Sequence, residues 1–142
     1  MLETEPKIVA NYVTTGKVKL VFHHITDFAN SLQASQAAEC AGDQGKFWPM
    51  HAILYRQQPQ VAAANNPTVV FQQFAQSLSL DMGMFTQCLS SGKYAEKVRK
   101  DDAAAKASGV RVRPTFQFSN GRRIQGAVPY DTFKSILDEA LK

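Results

Sequence analysis

An α/β fold is what the sequence predicts, from two β-prone runs around Asn120-Gly121, one earlier β-prone run at residues 17–22, and a long block of helical periodicity between them. The last stretch organises the rest. Residues 115–118 and 122–125 flank Asn120-Gly121, and both turn residues tolerate positive φ, which predicts a tight hairpin. Gly126 breaks the ladder, and Asp131 or Thr132 is placed to cap a helix in which Phe133, Ile136, Leu137 and Leu141 recur at three- and four-residue spacing. Two strands and one helix bury too little to stand alone, so the preceding chain must supply the rest of the sheet and most of the core.

Taken in order, residues 2–13 read as a short helix with Ile8, Val9, Tyr12 and Val13 as its apolar stripe and Gly16 as terminator. Residues 17–22 follow as a strand with Val18, Leu20 and Phe22 on one face; Val21 is apolar too, so both faces are expected to be partly covered. Asn30 or Ser31 caps an Ala-rich run through Gln33, Ala37, Ala38, Glu39, Cys40 and Ala41, which Gly42 and Gly45 interrupt. Residues 46–57 form a second helix with Phe47, Met50, Ile53 and Leu54 on one face, and Trp48-Pro49 suits its first turn. Residues 61–66 read as an Ala-Asn loop. A third helix spans 67–78 with Val70, Phe71, Phe74 and Leu78 apolar, and Asp81 caps a fourth through Met84, Phe85, Cys88 and Leu89. Beyond Gly92 a long polar helix, 93–107, turns Tyr94, Val98 and Ala104 inward and Lys97, Arg99, Lys100, Asp101 and Asp102 outward. So many helices exceed a simple crossover and form a subdomain. The expected division is residues 1–28 with 109–142 as the sheet-bearing part, and 29–108 as a helical insertion.

Composition narrows the function. At 142 residues with 44% hydrophobic content the chain suits one unit with a real core. No apolar run is long enough to cross a bilayer, so no membrane span is expected. The first residues are acidic and polar where an export signal would be basic and then apolar, so a signal, if the protein is exported, is not in this chain. The net charge of +4 arises in the second half: residues 91–142 hold eleven Lys or Arg against six acids, residues 1–90 five against six. A solvated basic face is the plain reading, and no aromatic-and-basic pattern accompanies it, so nucleic acid is not an expected partner.

The segments carry a resemblance. Residues 15–22, then Ala37-Ala38-Glu39-Cys40 through Trp48 with Met50-His51, then Leu80-Asp81 with Phe85 and Cys88-Leu89, then Gly109-Val110-Arg111 with Pro114-Thr115-Phe116, Asn120-Gly121 and Gly126, together resemble the DsbA-like thiol-disulfide oxidoreductases. That family has a thioredoxin fold with an inserted helical domain, and the resemblance extends over essentially the whole chain. It implies a truncated thioredoxin-like sheet with a four- to five-helix insertion.

The resemblance also implies what is missing. In the family a first strand leads to a Cys-x-x-Cys whose first cysteine attacks substrate disulfides as a thiolate. This sequence begins inside what would be the following helix, and its only cysteines, Cys40 and Cys88, stand far apart. No redox catalysis is expected of the chain as it stands. The missing strand is the central one, and its loss exposes ladder groups on both sides, each costing about 1 to 3 kcal/mol if buried unpaired. Either residues 18–22 close directly against 115–118, or a second chain covers the gap; a homodimer is the expected partner arrangement.

Site expectations follow the family. The proline matching Pro114 is cis there, and the residue before it pairs with an extended substrate peptide. Here the motif reads Val112-Arg113-Pro114, a long cation where relatives have a small or β-branched residue, so the groove has either changed partner or is occupied by a carboxylate; the alternative is that Pro114 simply starts a strand. Trp48 either lines that groove or packs in the subdomain. Cysteines placed like Cys40 and Cys88 bridge the helical domain in exported relatives, and such a bridge would stabilise by roughly 2 to 4 kcal/mol; two buried thiols are the alternative. Arg111, Arg122 and Arg123 are candidate anion contacts. His23, His24 and His51 match no metal spacing, and no cofactor or metal is expected. Three functions stand: a polypeptide- or partner-binding member without redox chemistry, part of an oxidoreductase whose Cys-x-x-Cys lies outside this chain, and a small-molecule or anion binder. The resemblance suggests an exported or periplasmic location.

Overall fold

A computed structural model describes residues 3–142 of the chain. The expected first helix covers Thr4–Ile8 (α1) and continues as a π-helical turn, Val9–Val13, closed by a Thr14 N–H to Val9 C=O bond of 2.9 Å. Its expected start at Leu2 lies outside the described residues. Ile8 and Tyr12 are buried, as the stripe requires. Gly16 takes φ +74°, and the Lys17 and Val18 amides both donate to Tyr12 C=O at 3.0 Å, which satisfies the helix end.

The strand expected at residues 17–22 does not form. The alternation is there, with Val18, Leu20 and Phe22 partly buried and Lys17, Lys19 and Val21 exposed, but none of these residues enters a sheet. An extended run becomes a strand only when a neighbour completes its ladder, and no such neighbour is present among the described residues. Val21 is 57% exposed, so the second face expected to be covered is open.

The hairpin forms: Thr115–Gln117 (β1) and Arg123–Gln125 (β2) pair antiparallel, with Phe116 opposite Ile124. Of the two turn residues only Gly121 takes positive φ, at +85°; Asn120 instead accepts the Arg122 amide through Oδ1 at 3.0 Å. The last helix is Tyr130–Ala140 (α8). It starts two or three residues earlier than expected, with Pro129 at its N-cap, so Asp131 and Thr132 lie within its first turn and neither caps it. Leu141 falls just beyond it and is exposed. Phe133 and Leu137 of α8 pack with Ile8, Tyr12 and Ile124, while Phe116 meets Phe133 edge-on at 4.6 Å.

The middle of the chain is helical throughout: Ser31–Gly42 (α2), Phe47–Arg56 (α3), Gln58–Ala63 (α4), Pro67–Ser77 (α5), Met82–Ser91 (α6) and Ala95–Ala107 (α7). The loop expected at 61–66 is half helix. Pro59 fits the first turn of α4, and fully buried Val61 anchors it in the core. Asn30 precedes α2 in a left-handed conformation but does not cap it. Its amide donates to Val61 and Ala64 carbonyls at 2.9 and 3.0 Å and closes the end of α4 instead. Asp81 caps α6 as expected, Oδ1 accepting from the Met84 amide at 2.8 Å. On α7 Val98 is buried, but Ala104 is exposed where the periodicity placed it inward, and Asp101 and Asp102 turn toward residues 24–26, where they were expected to face solvent.

Two compact units result, one running through Phe22 together with Lys106–Lys142, the other His23–Ala105. Each has its own apolar core. Among the described residues no helix is long and apolar enough to cross a membrane.

Candidate functional site

The sheet-bearing unit presents its chemistry where α7 ends and β1 begins. The Phe118 amide bonds to Arg122 C=O at 2.9 Å and the Gly126 amide to Pro114 C=O at 2.8 Å, so the hydrogen-bonded pairs of the ladder are 114 with 126, 116 with 124 and 118 with 122. The N–H and C=O groups of Thr115 and Gln117 consequently point to the opposite edge, where no strand pairs among the described residues. The Arg113–Pro114 peptide bond leading into this edge is cis. Thr115 Oγ1 donates back to Val112 C=O and closes the loop on itself. The Val112 side chain is 43% exposed and lies beside Gly126, whose φ of +84° lets the chain leave β2 without a side chain in the way.

Arg111 and Arg113 line one cleft of about 390 Å³ together with Lys106 and Val110. Arg111 is anchored by a single nitrogen: Nη1 donates to Lys106 C=O at 2.9 Å and Val110 C=O at 3.2 Å. The candidate anion contacts Arg122 and Arg123 also have partners. Arg122 Nη1 pairs with Glu139 of α8 at 2.8 Å, and Arg123 donates to Ser108 C=O at 2.8 Å and Gln117 Oε1 at 3.2 Å. Sequence reasoning missed Lys106 and Val110. The signal was available, because Lys106 occupies the last turn of α7, where a cation complements the helix end.

Trp48 belongs to the helical unit. Its ring meets Phe47 at 5.1 Å and His51 at 5.4 Å, and His51 in turn meets Tyr55 at 4.5 Å, an aromatic row along α3. Within the same unit His24, only 3% exposed, lies 2.8 Å from Glu39 Oε1 through Nε2. A carboxylate only accepts, so that nitrogen carries the proton. Glu39 also pairs with Lys97 at 2.6 Å, and the Thr26 amide donates to Asp102 at 2.9 Å. Burial lowers the pKa of His24 against the pull of Glu39, and burial, helped by the nearby His24, lowers that of His51 to about 4. Both rings are therefore neutral at pH 7. Among the described residues no three His, Cys, Asp or Glu side chains converge as a metal site would need.

Cys40 of α2 and Cys88 of α6 are joined as a disulfide with Cα atoms 5.8 Å apart. Asp43 Oδ2 lies 3.7 Å from Cys88 Sγ, a contact only, since a disulfide sulfur has no proton to donate. Lys93 and Tyr94 hold the Asp43 carboxyl below its ordinary pKa, the lysine first.

A family profile described as Thioredoxin matches residues 1–139. The chain is 35% identical, over 91% of its length, to "Na(+)/H(+) antiporter NhaA 3" of Salinispora tropica, of which it covers 19%. It is 24% identical, over 96% of its length, to a "Putative protein-disulfide oxidoreductase" of Rickettsia bellii, of which it covers 52%. The chain thus spans between a fifth and a half of the length of these curated relatives. Among solved structures, alpha-DsbA1 of Wolbachia pipientis superposes with a TM-score of 0.81 at 20% identity, over 97% of this chain and 75% of that one. BdbD from Bacillus subtilis, oxidised, superposes with a TM-score of 0.80 at 23% identity, over 96% and 75%.

Proposed function

Because this chain belongs to the thioredoxin family, in its DsbA-like form with inserted helices, we propose that it binds polypeptide in extended form along the outer edge of β1, without carrying out disulfide exchange of its own. The observation that carries this reading is the parity of the ladder: Thr115 and Gln117 present their backbone groups away from β2. Such an edge is a template for strand addition, in which main-chain bonds supply affinity with little demand on sequence. Arg113 and Pro114 lead directly into it. The chain holds no Cys-x-x-Cys, and its two cysteines are bonded to each other in the helical unit. Exchange therefore lacks an attacking thiolate here. The bonded pair supports an oxidising compartment, the periplasm or the cell exterior.

The Gln117 amide faces outward, so Gln117→Pro deletes one donor of the open edge and leaves every backbone β1–β2 bond in place, removing only the exposed side-chain bond from Arg123 Nε to Gln117 Oε1. Affinity for an unfolded, cysteine-free polypeptide is expected to fall about tenfold, the loss of one main-chain bond with some steric cost, while the thermal midpoint stays close to the parent's. Equal affinity in variant and parent contradicts the reading. The same edge also supports self-association, β1 against β1 about a two-fold axis, as the homodimer. Sedimentation at micromolar concentration is expected to give a dimer that polypeptide dissociates, and a purely monomeric species removes this arrangement.

A second reading rests on length. The oxidoreductase relative and both solved structures are longer than this chain. If a segment outside these 142 residues supplies the central strand and a Cys-x-x-Cys, the unit is the remainder of a thiol-disulfide oxidoreductase. A longer form that exchanges disulfides where the 142-residue chain does not would favour it.

A further inference from the structure

The cleft beside the proline loop is lined by three cationic side chains, Lys106, Arg111 and Arg113, with Val110 as its apolar wall. Arg111 is the informative member. Its Nη1 is fixed between two backbone carbonyls, while Nε and Nη2 make no hydrogen bond among the described residues. A guanidinium held in this way presents a planar fork whose orientation is set before any ligand arrives, and a carboxylate is the anion that matches such a fork with two parallel bonds. Little ordering of Arg111 remains to be done on binding. The surroundings carry the same sign: the sheet-bearing unit has ten Lys or Arg against five Asp or Glu, whereas the helical unit has six against seven. The whole positive excess of the chain sits in the unit that holds the open edge.

Position links this cleft to that edge. Arg113 is two residues before Thr115, whose backbone faces the outer side of β1. Arg113 thus stands beside the start of that edge, and alternate side chains of a strand added along it project to the same face. We infer that the polypeptide that pairs with β1 places an acidic side chain, Asp or Glu, in the Lys106–Arg111–Arg113 cleft, so that this unit selects acidic extended segments. The inference rests on the reading of β1 as a polypeptide edge and adds its specificity. A nucleic acid strand fits the cleft less well, since among the described residues Val110 is its only uncharged lining residue and no aromatic ring lines it for a base to stack on.

The test uses the whole 142-residue chain and pairs of cysteine-free Thr/Val peptides of about six residues, a strand's length. One member of each pair carries a single Glu, walked along the positions, and its twin carries Gln. Fluorescence anisotropy is expected to show the best Glu peptide binding about tenfold tighter than its twin at low salt, with the preference shrinking as salt rises. Arg111→Gln combined with Arg113→Gln should bring the Glu-to-Gln ratio to about one, and a ratio that stays at the parent's value overturns the assignment to this cleft. Arg111→Lys, which keeps the charge but not the fork, should retain only part of the preference. Glu and Gln peptides that bind the parent equally, and still lose affinity in Gln117→Pro, overturn the acidic preference and leave the strand-addition reading standing. If neither peptide binds, the strand-addition reading fails and takes this inference with it. A single-stranded oligothymidylate that binds with the same Arg111 dependence overturns the assignment to polypeptide.

Discussion

His51 is 5% exposed on α3, among Phe47, Trp48 and Tyr55, and its pKa is lowered from 6.5 to about 4, by burial first and by His24 second. The sign follows from proton counting. Below pH 6.5 the unfolded chain binds a proton on this ring that the folded chain refuses until about pH 4, so stability is full above 6.5 and is lost as pH falls across that window. The loss for His51 is roughly 3 kcal/mol if the whole window is crossed, and His24 acts in the same direction. Asp43 and Asp138, whose pKa values are lowered, begin to lose their contribution only below their ordinary 3.8 and so stand outside it. Urea unfolding midpoints measured from pH 7 to 5 are expected to fall in the parent and to fall less in His51→Phe; an identical slope contradicts the assignment. None of this was legible in the sequence, where His51 was noted only as matching no metal spacing. Periodicity tells which face of a helix turns inward, but not that a polar ring on that face is buried in an aromatic row.

At the scale of elements, the disulfide ties α2 to α6 within the core of the helical unit, with Cys40 1% and Cys88 9% exposed. A closed loop with a separation of 48 residues removes enough freedom from the unfolded chain to stabilise by about 4 kcal/mol on the chain-entropy account. Cys40→Ala with Cys88→Ala is therefore expected to lower the urea midpoint strongly, and a midpoint unchanged from the parent contradicts a structural role for the bridge. Most elements were legible because their apolar spacing and punctuation agree, as in α5, α6 with its Asp81 cap, and the hairpin around Asn120-Gly121. The failures share one cause. Residues 17–22 have the alternation of a strand but no ladder partner among the described residues, α4 is held by the burial of Val61, and Asn30 is drawn away from capping α2 by the carbonyls of Val61 and Ala64. Each outcome depends on a distant neighbour that local pattern cannot contain.

For the molecule as a whole, the DsbA-like thioredoxin fold could be read from the order of its segments, while the candidate site could be read only in part. Arg111, Arg113 and Pro114 were identifiable from the proline loop; Lys106 joins them through the end of α7, and Arg122 is paired with Glu139 of α8. The open edge of β1 follows from ladder parity, which needs the register that only the structure supplies. The account's central claim is that this edge accepts an extended chain, and hydrogen exchange at single amides tests it most directly. With a cysteine-free unfolded polypeptide bound, the Thr115 and Gln117 amides are predicted to slow by at least about tenfold, the size of one new backbone bond at each. Phe116, already paired with Ile124, serves as the internal control and should change little. Unchanged exchange at Thr115 and Gln117 in the presence of saturating, bound polypeptide would contradict the claim.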